Sequence, residues 1–504
     1  MVLRRTLTLL AGLSLVAASA CSGDSGDDEA GAGTDEETAT TVDRPDGPAA
    51  ELGGPLTAGA GVNLASASAG PSLDELGWVE EEFTASGTAT SYRSDGDLPA
   101  DGTFDLQEDA TADYATRIVV RRPADAADFN GTVVVEWLNV SGGLDANPDF
   151  SYMADELLRG GYAWVGVSAQ RIGIEGGPVA VTVEAGEGIA GRGLRALDPE
   201  RYGDLHHPGD AFSYDIFTQV ARSLREPGDV DALGGLEAER LLAVGESQSG
   251  FALTTYVNGV QPLALAYDGF FVHSRGGAAA PLGEPDAGID IAGTIGGPPT
   301  QIRTDLDAPV LVLETETDVV GILNYLPARQ PDSERFRLWE VAGTAHADAF
   351  LLGPTAEGLG CPTAINDGPG HFAVKAGLRR LDEWVRTGEA PPEAPRLEVD
   401  ETGAAPAYVT DENGNVVGGI RTPHVDAPVA TLSGEAAPGA SLVCTLMGST
   451  VPLPADRLAE LYPSADDYLA AYTEAADAAI EAGFVLEDDR EALLDDADPS
   501  VIPG

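Results

Sequence analysis

The stretch "RLLAVGESQSG", residues 240–250, decides how this chain is read. Its apolar run has the pattern of a buried strand and stops in a turn of small and polar residues. The following stretch, "GFALTTYVNGVQP" at 250–262, reads as a short helix stopped by Asn258-Gly259 and Pro262. A strand that turns sharply into a helix can present a reactive serine at the corner. In so tight a turn, the residues two before and two after the nucleophile must be small, or their side chains collide. Centring on Ser247 puts Gly245 and Ser249 at those places. Centring on Ser249 puts Phe251 at one of them, and Phe251 is too large. Ser247 is therefore the candidate nucleophile, with Ser249 standing where a glycine is usual. The bland alternative is an ordinary polar turn. Glu246 is expected to point away from the reacting side and to serve as a structural hydrogen-bonding residue.

The surroundings set the fold class. "GTVVVEWLNVSGG" (131–143), "AWVGVSAQ" (163–170), "YDGFFVHS" (267–274), "APVLVLETE" (308–316) and "FRLWEVAG" (336–343) read as buried strands. "FSYMADELLRGGY" (150–162), "YDIFTQVARSL" (214–224) and "HFAVKAGLRRLDEWVRTG" (371–388) lie among them with helical patterning. That alternation predicts a mainly parallel central sheet flanked by helices, an α/β fold. Two strands at 78–92 and 114–123 precede the first helix and predict an antiparallel start. Residues 171–210 are too long for a plain connection and predict a lid-like insertion that shapes a pocket. The last hundred or so residues include a hairpin turning at Asn413-Gly414 and a helix near 464–484. They read as a C-terminal extension packed on the body.

A serine at its free pKa needs a base. Of the six histidines, His346 lies just past an apolar strand in "FRLWEVAGTAHAD", at the end where parallel sheets gather active sites. His273 could line a pocket, His371 reads as a cap or packing residue, and His206, His207 and His424 compete poorly. The orienting acid is expected between Ser247 and His346, in "APVLVLETETD". Asp318 follows the strand end by a turn and is preferred, with Glu316 second and Glu314 nearer the sheet. The order Ser247, Asp318, His346 is that of a hydrolase triad. An oxyanion hole needs two backbone N–H groups. One should come from Gln248, and the other from the loop carrying Asn139, Val140 and Ser141. No His-Glu-x-x-His or Cys/His ligand pattern occurs, so no metal or cofactor is expected.

Charge excludes other classes. There are 28 basic and 83 acidic residues, a net of -55, and Lys375 is the single lysine. Such a surface repels nucleic acid and anionic lipid.

Residues 1–21, "MVLRRTLTLLAGLSLVAASAC", read as an export signal, too short to span a bilayer. Cys21 after "AASA" resembles a bacterial lipobox, although Ala18 stands where leucine is usual. Lipidation of Cys21 would make a lipid anchor the only membrane contact; simple secretion is the alternative. Residues 22–54 are rich in Gly, Ser, Thr, Asp and Glu and predict a disordered acidic linker, with the folded body at 73–500. The two remaining cysteines, Cys361 and Cys444, are expected to form a disulfide in an exported protein.

"VEWLNVSGG", "GESQSG", "RLWEVAGTAHAD", "GPGHF" and "GGIRTP" together resemble a family of bacterial alpha/beta-hydrolase-domain proteins, mostly of undefined substrate. The resemblance runs from about Leu73 to near the C-terminus. It implies an alpha/beta-hydrolase fold, Ser247 as nucleophile, His346 as base, an acid within "ETETD", and a C-terminal stretch belonging to the same domain. The expected function is exported hydrolysis of a small-molecule carboxylic ester. The alternatives are a catalytically silent hydrolase-fold lipoprotein that binds a ligand or partner, and an amidase or peptidase.

Overall fold

The structure, a computed structural model, describes residues 44–65, 73–181 and 188–503. The expected signal, Cys21, the linker up to residue 43 and residues 182–187 of the insertion lie outside the described residues. Arg44–Gly504 forms one compact unit.

Nine strands form one sheet: β1 (Glu51–Gly53), β2 (Trp78–Arg93), β3 (Gln107–Pro123), β4 (Thr132–Trp137), β5 (Ala163–Val167), β6 (Arg240–Glu246), β7 (Gly269–His273), β8 (Val310–Thr315) and β9 (Phe336–Val341). Their order is β1-β2-β3-β5-β4-β6-β7-β8-β9. The first three are antiparallel, and β3 also meets β5 antiparallel. From β5 to β9 every pair is parallel.

Alternation in the strands feeds two cores. Val133, Val135 and Trp137 of β4 enter the core on one face, and Val134 enters the other with Leu138. The same split divides Leu241 and Ala243 from Leu242 and Val244 in β6. Successive side chains of a strand point to opposite faces, so a nearly continuous apolar strand demands cover on both sides. One face is covered by α1 (Pro148–Arg159) and, further along the chain, the helix Gly370–Thr387, through Phe150, Met153, Leu157, Val374, Leu378 and Trp384. The helices Ser213–Arg225 and Gln248–Thr255 cover the other face through Tyr214, Phe217, Val220, Phe251 and Leu253.

Three expectations need correction. The body does not begin at residue 73: Ala50 and Leu52 are buried, and Glu51–Gly53 pairs with Thr84–Ser86 of β2. Ala50 N–H also donates to Gln219 O at 3.0 Å, and Arg44 pairs with Asp268. Composition concealed this because "AAELG" carries only one large apolar residue, yet backbone pairing needs no side chain. Second, the helix after the elbow is not stopped at Asn258-Gly259. It runs through a π turn, Tyr256–Val260, into Gln261–Ala264. Asn258 is held there by Gln301 O and the Arg303 N–H, and Gly259 leaves room for Leu106, which would lie 2.4 Å from an added Cβ. Third, the insertion reads as an irregular lid-like stretch, but its described residues carry short helices at Arg171–Glu175, Leu194–Leu197 and Pro199–Tyr202.

The C-terminal helix Ala465–Glu481 packs Ala476 and Ala479 on Phe372 of the helix Gly370–Thr387. Among the described residues no helix is long and apolar enough to cross a membrane. Cys361 and Cys444 are joined by a disulfide across a separation of 83 residues. Closing a loop of that length restricts the unfolded chain, an effect of about 4–5 kcal/mol in the chain-entropy picture. Changing both cysteines to serine is therefore expected to cost stability of that order. Urea unfolding of the two forms, with no reductant present, measures it; equal midpoints would show that the bridge stabilises nothing.

Candidate active site

The corner at Ser247 has the predicted strain. Its φ is 58° and its ψ is -119°, a conformation rare for a residue with a side chain. Ser247 N–H donates to His273 O at 3.0 Å, fixing the turn to the end of β7. The small-residue argument also holds in space. A Cβ on Gly245 would stand 3.0 Å from the Cβ of Ser249, and one on Gly250 would stand 3.1 Å from His273 O. Ser249 is fully buried, so the place usually taken by glycine tolerates a hydroxymethyl group and little more.

Three strand ends converge on this corner. His346, in the loop after β9, places Nε2 2.8 Å from Ser247 Oγ. Its Nδ1 lies 2.7 Å from Asp318 Oδ1, just past β8. The other carboxylate oxygen, Asp318 Oδ2, accepts from Thr315 N–H and Thr315 Oγ1, both at 2.7 Å. Asp318 is thereby pinned as the far half of a capping box. Burial pulls the His346 pKa down, but the carboxylates of Asp318 and Glu246 outweigh it and leave the pKa above its ordinary value.

Glu316, the second candidate for the acid, does not reach His346. Its two oxygens accept from Gly343 N–H at 2.6 Å and Gly434 N–H at 2.8 Å, tying the histidine loop to the C-terminal region. Burial pushes its pKa up to about 7. Glu314 is buried in the sheet, where desolvation holds it well above the usual carboxylate range.

The oxyanion candidates separate by where their amides point. Asn139 N–H donates to Ala146 O at 2.9 Å, and Ser141 N–H donates to Asn139 Oδ1 at 2.8 Å. Both are already used, so they are removed from the candidate set. Val140 N–H faces the elbow instead, 3.4 Å from the side-chain oxygen of Gln248. Gln248 opens the helix after the elbow, where first-turn N–H groups have no intrahelical acceptor. From the insertion, the N–H groups of Ala180 and Val181 both donate to Ser141 O at 3.0 Å, so this segment rests on the same loop.

Several residues of the site, His273 apart, escaped the sequence reading. Glu246 was expected to face away, but its Oε1 lies 3.3 Å from His346 Nε2. Behind it, His273 Nδ1 meets Asp149 Oδ1 at 2.9 Å, and the Tyr152 hydroxyl donates to Asp348 at 3.2 Å. Burial draws the His273 pKa down to about 4 and pushes that of Asp348 up to about 7. His371 stacks on Phe350 at 3.9 Å between ring centres, the packing role expected of it. The only advance signal for Glu246 was its position at the end of a buried strand, where a carboxylate needs a partner.

A strained turn at a strand end, with an imidazole and a carboxylate brought to it by the next strands, defines the alpha/beta hydrolases as a class. The chain belongs to the alpha/beta hydrolase domain family, whose profile matches residues 52–495. That span begins at β1, in line with the corrected boundary. No curated protein matches the chain. Solved structures with a similar fold include a protein designated a dienelactone hydrolase from Klebsiella pneumoniae, 15% identical, with 60% of this chain and 99% of that one covered and a TM-score of 0.31. XC6422 from Xanthomonas campestris, described as an α/β serine hydrolase without lid, is 14% identical over 58% of this chain and 94% of its own, with a TM-score of 0.28. Esterase 2 of Thermogutta terrifontis is 13% identical over 59% and 99%, with a TM-score of 0.30.

The tight corner yields a stability test. Gly245→Val places branched methyl groups against Ser249 and Leu253, and overpacking of this kind costs about 1–3 kcal/mol. Thermal unfolding should show a lower Tm; an unchanged Tm would mean that the turn has more room than these distances give it.

Proposed function

We propose that this chain is an exported serine hydrolase of carboxylic esters that works through an acyl-enzyme. The observation that carries the reading is the hydrogen-bonded chain Ser247–His346–Asp318, with links of 2.8 and 2.7 Å, built on a serine of positive φ. Membership of the alpha/beta hydrolase family supports it.

This geometry supports the following mechanism. With Nδ1–H donated to Asp318, His346 turns the lone pair of Nε2 towards Ser247 and takes its proton as Oγ attacks the ester carbonyl. Asp318 holds the tautomer and stabilises the imidazolium, while its own second oxygen stays anchored to Thr315. The developing oxyanion is received by the N–H groups of Gln248 and Val140, after the Gln248 side chain has moved aside. Each such donor is worth roughly 3 kcal/mol in the transition state. His346 then protonates the departing alkoxide, and water, activated by the same nitrogen, releases the acid and frees Ser247.

The part of the insertion at Ala180 and Val181, through its contact with Ser141, forms one wall of the ester pocket. Export is supported by the leader pattern of residues 1–21 and by the Cys361–Cys444 bridge, a bond favoured in oxidising compartments. Lipidation of Cys21 anchors the enzyme at the outer face of the cell membrane.

Labelling with a fluorophosphonate probe tests the nucleophile. Ser247→Ala should abolish labelling and turnover of chromogenic esters, and Asp318→Asn should lower kcat by about 10⁴-fold by stranding the wrong tautomer. Labelling that survives in Ser247→Ala, with a panel of short- and medium-chain esters untouched by the wild type, would reject the reading. The base must be neutral to act. Because the His346 pKa is raised, kcat/KM should fall about tenfold per pH unit below a midpoint lying above the ordinary histidine value. For the anchor, Cys21→Ser should move the protein from the membrane fraction to the medium, and an unchanged distribution would remove the lipid from the proposal.

A further inference from the structure

Glu246 precedes the nucleophile and is only 5% exposed. Its Oε1 lies 3.3 Å from His346 Nε2, the same nitrogen that meets Ser247 Oγ at 2.8 Å. It is held there. Asn139 Nδ2 donates to Glu246 Oε2 and to Glu246 O, both at 3.1 Å. Asn139 is itself fixed, because its backbone exchanges two hydrogen bonds with Ala146, at 2.9 and 2.8 Å.

This arrangement means different things in the two states of the base. Neutral His346, with Nδ1–H given to Asp318, offers only a lone pair at Nε2, and that lone pair serves the serine. Glu246, when ionised, then faces it without a hydrogen bond. Once the imidazole holds a second proton, Nε2–H has two acceptors within reach, the oxygen at the reacting centre and the Glu246 carboxylate. In a buried site the attraction between such charges is far stronger than in water.

Resting on the ester-hydrolase reading above, we propose that Glu246 is a positioning residue acting through His346: it accepts Nε2–H of the imidazolium, holds the ring over Ser247, and raises the pH below which the base is lost. Other groups face the same imidazole. Asp318 stands on its far side, His273 and Asp149 lie behind Glu246, and Asp348 follows two residues on, bonded to Tyr152. Burial pushes the Glu246 pKa to about 7, against the pull of His346 and His273. Two ionisable groups at such a distance titrate as a pair.

Glu246→Gln separates charge from packing, since a glutamine oxygen can still accept from Asn139. The decisive measurement is an NMR titration of ¹⁵N-histidine-labelled protein, with the His346 signal assigned from its loss in His346→Gln. In Glu246→Gln the His346 midpoint should fall by about one pH unit or more, and the acid limb of kcat/KM should move down with it. Glu246→Asp, which keeps the charge, should return the midpoint towards the wild type. Should the glutamine variant not fold, Glu246→Ala removes the same charge and must move the midpoint in the same direction. An unmoved His346 midpoint overturns the proposal, even if activity falls at every pH, because that result describes a purely structural anchor for Asn139. The outcome is separable from the ester reading: absence of Ser247 labelling defeats that reading, whereas the titration reports on Glu246 with no turnover required.

Discussion

The hydrogen bond from Ser247 to His346 joins side chains 99 residues apart, and the architecture around it exists to keep that distance short. Neither partner could hold the contact alone. The serine is fixed by a strained corner whose backbone is tied to the end of β7. The histidine is fixed by Asp318, which is locked by Thr315, and by a loop whose Gly343 N–H is gripped by Glu316. Four consecutive parallel strands, β6 to β9, deliver these pieces to one edge of the sheet. A buried parallel sheet is stiff because both faces are packed, so errors in loop position stay small at the site.

Carboxylates dominate the neighbourhood. Glu246, Asp318, Asp348, Asp149 and Glu316 are all buried near the histidine loop. Isolated buried carboxylates are costly to ionise, and the structure meets that cost in different ways. Asp318 and Glu316 accept from backbone N–H groups, Asp149 and Glu246 have histidines beside them, and Asp348 accepts from Leu351 N–H and Tyr152. The acid composition of the whole chain is thus a poor guide to any one of these groups. On the surface a carboxylate is solvated; in this cluster each one is an element of geometry.

How much of this was legible in the sequence depended on the kind of signal. The parallel strands were plain, because an apolar run such as "TVVVEW" has few other uses. Ser247 followed from size alone, since Phe251 could not occupy a tight corner. Asp318 and His346 followed from chain order and strand ends, and the two cysteines from compartment. The hidden features were those carried by backbone hydrogen bonds or by the direction of one side chain. Nothing in "LNVSGG" tells which amides are already spent on Ala146 and Asn139, and the pairing of β1 rests mainly on backbone hydrogen bonds that composition does not show. Glu246 was misjudged because the usual exit direction of an elbow residue was applied to one that a neighbouring asparagine turns inward.

The edge strand β1 has a mechanical meaning. It lies near the start of the described body, where three residues pair with β2 and Ala50 and Leu52 are tucked beneath. A pull on Arg44 would load its pair with Asp268 and the Ala50–Gln219 hydrogen bond, then this short ladder, before it reached β2. With so few rungs, the ladder can peel open under load while the parallel strands behind it keep their spacing. Pulled from its N-terminal side, the body would yield at a sacrificial hem and leave the cloth intact.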